Sequence, residues 1–316
     1  MALISILKDN GYRIQAYTSS NLDDFSLKTM FFNGIKGTDY ISQLKGSVRD
    51  DSYVISELIK SIRTERNRSP FFKFVFLTSS HYGYEYPDNH AIFHPTTLNS
   101  SFIFNKHTDP TPLLNRYKNS LHYCDALFGD VLKALKEVHL DEKTVIIITS
   151  DHAEEFNDKD QGYWGHGSNF TRYQTSVPLI MFLPQTMNGR VINRRSSHVD
   201  VVPTLLKNVF GCCNEFTDYS SGLDLFNLPA HRGLIIKSYN SKSYIIDNKV
   251  YYIGVILDIY DINNISIKYN EFNHKEIEKI KESEIHFLTD NSIYHLLNNS
   301  QETHLAPQTH NLNLKL

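Results

Sequence analysis

Between positions 114 and 135 the apolar residues Leu114, Tyr117, Leu121, Cys124, Phe128, Val131 and Leu135 fall three or four apart, which gathers them on one face of a long helix. Apolar strands flank it. The run FFKFVFLT (71–78) precedes a polar loop over 79–110, and TVIIIT (144–149) follows the helix. Strand, helix, strand is a βαβ unit, and near-continuous apolar strands predict a parallel sheet covered on both faces. Upstream, LISILKDNG predicts a short helix closed by Gly11, then a strand over 12–17, while Val54, Leu58 and Ile62 mark a helix over 53–66. Downstream, VPLIMFLP (177–184) continues the sheet, and HVDVVPTLLKNVF (198–210) predicts a helix with Asp200 as its N-cap and Pro203 in its first turn. From Gly233 to about Ile267 the texture changes to β-branched and aromatic runs broken by Asn, Asp and Ser, which predicts an antiparallel subdomain. The expected organisation is an α/β core over 1–230 with a mainly parallel central sheet, a small β-rich subdomain with a terminal helix over 231–298, and a flexible tail over 299–316.

Composition narrows the function classes. The 316 residues carry 32 Lys and Arg against 35 Asp and Glu, with the cations scattered rather than striped, so nucleic acid is not an expected partner. The longest apolar runs fall far short of the ~20 residues of a membrane helix, and the opening MALISILKDNGYR lacks the basic, apolar and cleavage regions of a secretory signal. Cys124, Cys212 and Cys213 form neither a C-x-x-C pair nor a structural zinc ladder.

Chemistry is expected at the carboxyl ends of the strands, where open parallel sheets bind ligands. After Thr149 comes SDHAEEF with Asp151 and His152; after Thr78 comes SSHYGY with His81; and GYWGHGSN sets His166 between two glycines. An aspartate and a histidine side by side at a strand end can share one divalent cation through mixed oxygen and nitrogen ligation, which suits zinc or manganese and tolerates magnesium. The same dipeptide also occurs in plain surface turns, and the flanking glycines of His166 serve a close ligand approach or simply a tight turn. Glu154 and Glu155 are expected to support such ligands from behind or to face solvent. The combination of three histidines and one aspartate at three loop ends is stronger than any member.

Taken together, these segments resemble the sulfatase-like branch of the alkaline phosphatase superfamily, which includes phosphoethanolamine transferases and lipoteichoic acid synthases. TSDHAEEF is similar to its S-D-H-G-E-E element, with Ala153 in place of glycine. GYWGHGSN with VPLIMFLP is similar to its His loop and next strand, HVDVVPTLL to its D-x-x-P-T-L-L helix, and SSHYGY to its H-x-P-Y segment, with Gly83 where proline is usual. YSSGLDLF and the strands after it resemble YejM/PbgA-type inner-membrane proteins. The resemblance implies an alkaline phosphatase-like fold, Asp151 and His152 as ligands of a catalytic divalent metal (zinc, manganese, magnesium or calcium), and His81 and His166 as contacts to the ester or its leaving group. It implies a phosphate- or sulfate-ester substrate, on a lipid or glycan, and a place at the periplasmic face of the inner membrane. The family's first strand, its N-terminal acidic ligand and its nucleophile precede the helix that LISILKDNG resembles, so the nucleophile is expected to be absent and the chain to be a C-terminal portion lacking an N-terminal or transmembrane segment. Sulfatases' C-x-P-x-R signature is missing, since Cys124 precedes Asp-Ala and Cys213 precedes Asn-Glu; Thr18, Ser19 and Ser20 follow a strand and are alternative nominees for the nucleophile, set against their match to the family segment after it. The reading is a metal-dependent phosphoryl or sulfuryl ester hydrolase or transferase, with a non-catalytic lipid-binding or regulatory periplasmic domain as the alternative.

Overall fold

Helix α1 (Ala2–Asp9) ends where its sequence stops supporting a helix: Gly11 N donates to Lys8 O and Tyr12 N to Leu7 O, so two of the carbonyls orphaned at its end are met. A computed structural model describes residues 2–21, 39–42, 50–64, 70–98, 104–184, 189–238, 241–253 and 257–269, with positions 275, 278, 280 and 282. The chain divides into two compact units, residues 1–165 with 177–187 and residues 166–176 with 188–316.

In the first unit, β1 (Arg13–Thr18) lies between β2 (Asp39–Ser42) and β3 (Phe71–Phe76) in a parallel sheet, with Ala16 opposite Tyr40 on one side and Phe74 on the other. Parallel neighbours need a crossover, and α2 (Asp51–Thr64) supplies it between β2 and β3. Its buried face, Val54, Ile55, Leu58 and Ile62, packs with Tyr17 of β1 and with Tyr123, Leu127 and Leu135 of α3 (Thr111–Glu137). The long helix forms as its apolar spacing predicts. Its face is rotated from that prediction: Leu121 is exposed, whereas Asn115, Asn119 and Ser120 are buried. Asn119 is fully enclosed because its side chain replaces backbone partners, accepting from Ile92 N and Phe93 N and donating to Phe93 O.

β4 (Ile146–Thr149) follows α3, and a short hairpin of β5 (Glu155–Phe156) and β6 (Trp164–Gly165) precedes β7 (Leu179–Phe182). The α/β class holds, but β7 does not extend a parallel sheet: it pairs antiparallel with β4, Ile148 opposite Ile180. An apolar run signals burial and carries no direction; direction is set by the connection, which here doubles back through the hairpin.

The second unit holds helix α4 (Val201–Asn208) and an antiparallel sheet in chain order, β8 (Leu234–Lys237), β9 (Lys242–Ile246), β10 (Lys249–Ile253), β11 (Leu257–Asp261) and β12 (Asn264–Lys268), as the texture of 233–267 predicts. Ile245, Val250 and Tyr260 cover one face with Phe170, and Tyr244, Tyr251 and Ile259 the other with Ile280. Asp200 stands at the start of α4, yet its side chain does not cap the helix. It is fully buried and accepts from Arg232 through two nitrogens, at 2.5 and 2.7 Å, and from Ser197 N and Leu223 N. A buried carboxylate takes the strongest donors within reach, and the guanidinium outcompetes helix amides. The expected tail over 299–316 lies outside the described residues.

Candidate functional site

The stretch 150–166 turns back on itself through the β5–β6 ladder, in which Glu155 faces Gly165 and Phe156 faces Trp164. Residues just beyond that ladder on each strand therefore become neighbours. His152, Glu154 and His166 each present one ligand atom, all within 4.8 Å of one another, and all three are half-buried. Two imidazole nitrogens and a carboxylate oxygen at this spacing match the donor set of a divalent transition metal. His152 Nδ1 lies 3.2 Å from Ala153 O; with its proton there, Nε2 is left as the outward donor. Asp151 Oδ2 lies 3.7 Å from that Nε2, with its side chain 60% exposed, adjacent to the three-donor group.

The buried Glu155 fits the expected place behind the ligands. Glu154 stands within the donor group itself. The signal was available, since a two-residue hairpin puts alternate residues on one face, but so short a ladder leaves no periodicity to read. His166 sits between Gly165 and Gly167, both left-handed with φ of 73° and 78°. Those glycines are therefore required by the turn that presents the imidazole. The chain leaving His166 is pinned by Gln174, whose Oε1 accepts from Ser168 N and Asn169 N and whose Nε2 donates to Ser168 Oγ. The hairpin itself is tied down by buried Asn157, which accepts from Gly162 N at 2.7 Å and donates to Lys106 O.

His81 is exposed on the turn after β3 and stands outside the donor group. Its N–H donates to Thr78 O, and its carbonyl accepts from Tyr84 N. The turn is anchored from two sides: Arg116 Nη2 donates to Gly83 O at 2.7 Å, and Tyr84 is buried against Tyr117 and Phe156, with ring centres 5.4 and 5.9 Å away. Phe156 belongs to β5, so the His81 turn and the hairpin bearing Glu154 share one aromatic core. Burial, then the Glu154 carboxylate, push the Tyr84 and Tyr117 phenols above their ordinary range, so both stay protonated donors beside the acidic group.

Gly83 has φ of 104°, which proline cannot adopt, while a Cβ added there would meet nothing within 4 Å. Gly83→Ala is expected to cost about 1 kcal/mol and Gly83→Pro about 3 kcal/mol or more. Thermal denaturation of the two variants checks this order; a proline variant as stable as the alanine one contradicts it.

The layered α/β fold and this donor group define a class. The sulfatase family model matches residues 1–211, and the chain belongs to the sulfatase family. Over 117 residues, 37% of this chain and 19% of the relative, it is 30% identical to the inner membrane protein YejM of Salmonella typhimurium. Its fold is that of a protein in the alkaline phosphatase superfamily from Vibrio parahaemolyticus, with a TM-score of 0.62, 19% identity, and coverage of 94% of this chain and 68% of that one. It is likewise similar to the lipoteichoic acid synthase LtaP of Listeria monocytogenes, at a TM-score of 0.64 and 14% identity over 92% of this chain and 71% of that one. The chain spans 34% and 19% of the first two curated relatives it matches. Among the described residues no helix is long and apolar enough to cross a membrane.

Proposed function

We propose that this chain is part of a metal-dependent phosphoryl or sulfuryl ester hydrolase or transferase, with His152, Glu154 and His166 holding a divalent cation and Asp151 completing the set. The convergence of those three donors within 4.8 Å in a chain of the sulfatase family carries the reading. A bound cation would offset charge on the ester oxygens and polarise the bond to be broken. The protein's own contribution is placement. Gly165 and Gly167 fix the direction of His166, and Gln174 holds the backbone that leaves it. His81, exposed on its anchored turn, is a suitable donor of an imidazole proton to a leaving oxygen. The Tyr84 and Tyr117 phenols stay protonated beside the group. The proposed substrate is an ester of phosphate or sulfate on a lipid or glycan; likeness to the inner membrane protein YejM supports an inner-membrane setting, and the proposal puts the chain at its periplasmic face.

Elemental analysis of the purified chain is expected to find about one divalent metal per chain, lost in His152→Ala and in His166→Ala. Asp151→Ala is expected to weaken metal affinity by roughly 10-fold to 100-fold; unchanged affinity would remove Asp151 from the ligand set. Turnover of p-nitrophenyl phosphate and p-nitrophenyl sulfate by the full-length protein tests the chemistry. Absence of both metal uptake and turnover replaces this reading with the regulatory one.

A further inference from the structure

The second unit carries an open cavity of about 470 Å³, of the size that small-molecule ligands occupy. Its walls include Arg195, Arg232, the β9–β10 turn with Asp247 and Lys249, and Tyr269 after β12. None of these belongs to the His152, Glu154 and His166 group.

The two arginines of the wall are not equally satisfied. Arg232 gives both terminal nitrogens to buried Asp200, so its charge is met within the fold. Arg195 is half-buried, and its guanidinium donates to the main-chain oxygen of Asp247, a neutral acceptor. Burial pulls Arg195 below its ordinary range, with the Asp247 carboxylate partly opposing. Lys249 is half-buried with its ammonium 5.5 Å from the centre of the Tyr269 ring. The lining carboxylate of Asp247 is 63% exposed and lies 3.0 Å from His231 Nδ1. Asp247 also has φ of 49°, an uncommon conformation for a residue with a side chain, in the turn that brings its carbonyl onto Arg195. A partly desolvated guanidinium held by a carbonyl keeps charge that an oxyanion offsets best, and its fork geometry matches such a group.

We propose that this cavity binds the oxyanion group of a small polar molecule, a sulfate, phosphate or carboxylate carried on a sugar-sized body, with Arg195 and Lys249 on the oxyanion and Tyr269 against the body. The site serves recognition rather than chemistry, and its ligand shares the anionic character of the proposed substrate without occupying the metal-binding group.

Calorimetric titration of the full chain in EDTA, so that no metal contributes, tests this with inorganic sulfate, inorganic phosphate, glucose 6-sulfate, glucose 6-phosphate and uncharged glucose. At least one anion is expected to bind with one-to-one stoichiometry and glucose not to bind. Arg195→Ala is expected to weaken that anion at least about tenfold, and His152→Ala to leave it unchanged. Where the esters bind more tightly than the inorganic ions, the sugar body contributes; where they bind equally, the oxyanion alone is recognised, and both outcomes support the site. Binding lost in His152→Ala but kept in Arg195→Ala, glucose binding as tightly as its esters, or no binding at all overturns it. If Arg195→Ala fails to fold, Lys249→Met on the cavity wall carries the same comparison, with a weaker anion expected and an unchanged one overturning the proposal.

Discussion

Replacing Arg232 by alanine is expected to lower stability by about 3–5 kcal/mol, a large share of what holds a domain together. The cause is the residue left behind. Asp200 is fully buried, and Arg232, only 9% exposed, is its counter-charge through two parallel bonds. Ser197 N and Leu223 N would remain as donors, but two amides do not offset a whole negative charge away from water. Urea unfolding followed by the fluorescence and circular dichroism of the second unit measures the loss. Adding Asp200→Asn to the Arg232→Ala background is expected to recover part of it, because an amide needs no counter-charge. A double variant as unstable as the sum of the two single ones would show that the ion pair is not the source.

The second large effect is expected at Asp51. This carboxylate is 2% exposed at the start of α2, where a helix N-terminus favours negative charge, and it accepts from Thr78 N and Ser79 N at 3.0 and 2.9 Å. Those amides begin the turn that carries His81, and Ser19 Oγ at the end of β1 lies 2.9 Å from Thr78 Oγ1. Asp51→Ala strands two buried donors and is expected to cost about 3 kcal/mol. A readout independent of unfolding exists in the same place. Burial, with the Asp51 charge second, pushes the Cys124 thiol up to about 12. Removing a negative charge favours a thiolate, so Asp51→Asn is expected to lower that value, with burial still holding it above the ordinary range. The pH dependence of iodoacetamide labelling at Cys124, followed by peptide mass spectrometry, reports it; an unmoved profile would place Asp51 too far from the thiol to matter.

Much of the architecture was legible because single elements encode themselves. The spacing of Val54, Leu58 and Ile62 gave α2, and LISILKDNG gave α1 with its glycine stop. The alternation of β-branched and aromatic residues after Gly233 gave the antiparallel strands. What stayed hidden depends on pairing across distance. The run VPLIMFLP identifies a strand but not the antiparallel ladder it forms with β4. Nothing in the α3 stripe announces that Asn119 is buried; only the loop lying over it explains that. Asp200 looked like a cap because nothing near it in sequence announces Arg232. At the site, His152 and His166 were readable as loop histidines, whereas Glu154 joins them only because a hairpin two residues deep folds it toward His166. The sulfatase-like motifs made the fold class readable from the order of a few short segments, even with Ala153 and Gly83 departing from the pattern.

The two units also differ in how far apart in the chain their strand partners lie. In the sheet from β8 to β12 every strand bonds only to the one before or after it, so each ladder closes over a short connection. In the first unit Arg13 pairs with Phe71 and Ile146 with Phe182, across connections that hold helices and a hairpin. The entropy of closing those longer loops is spent before their contacts return anything. The polypeptide thus joins a sheet whose strands pair with sequence neighbours to strands that pair across long connections, and the hairpin bearing Glu154 lies within one of those long connections.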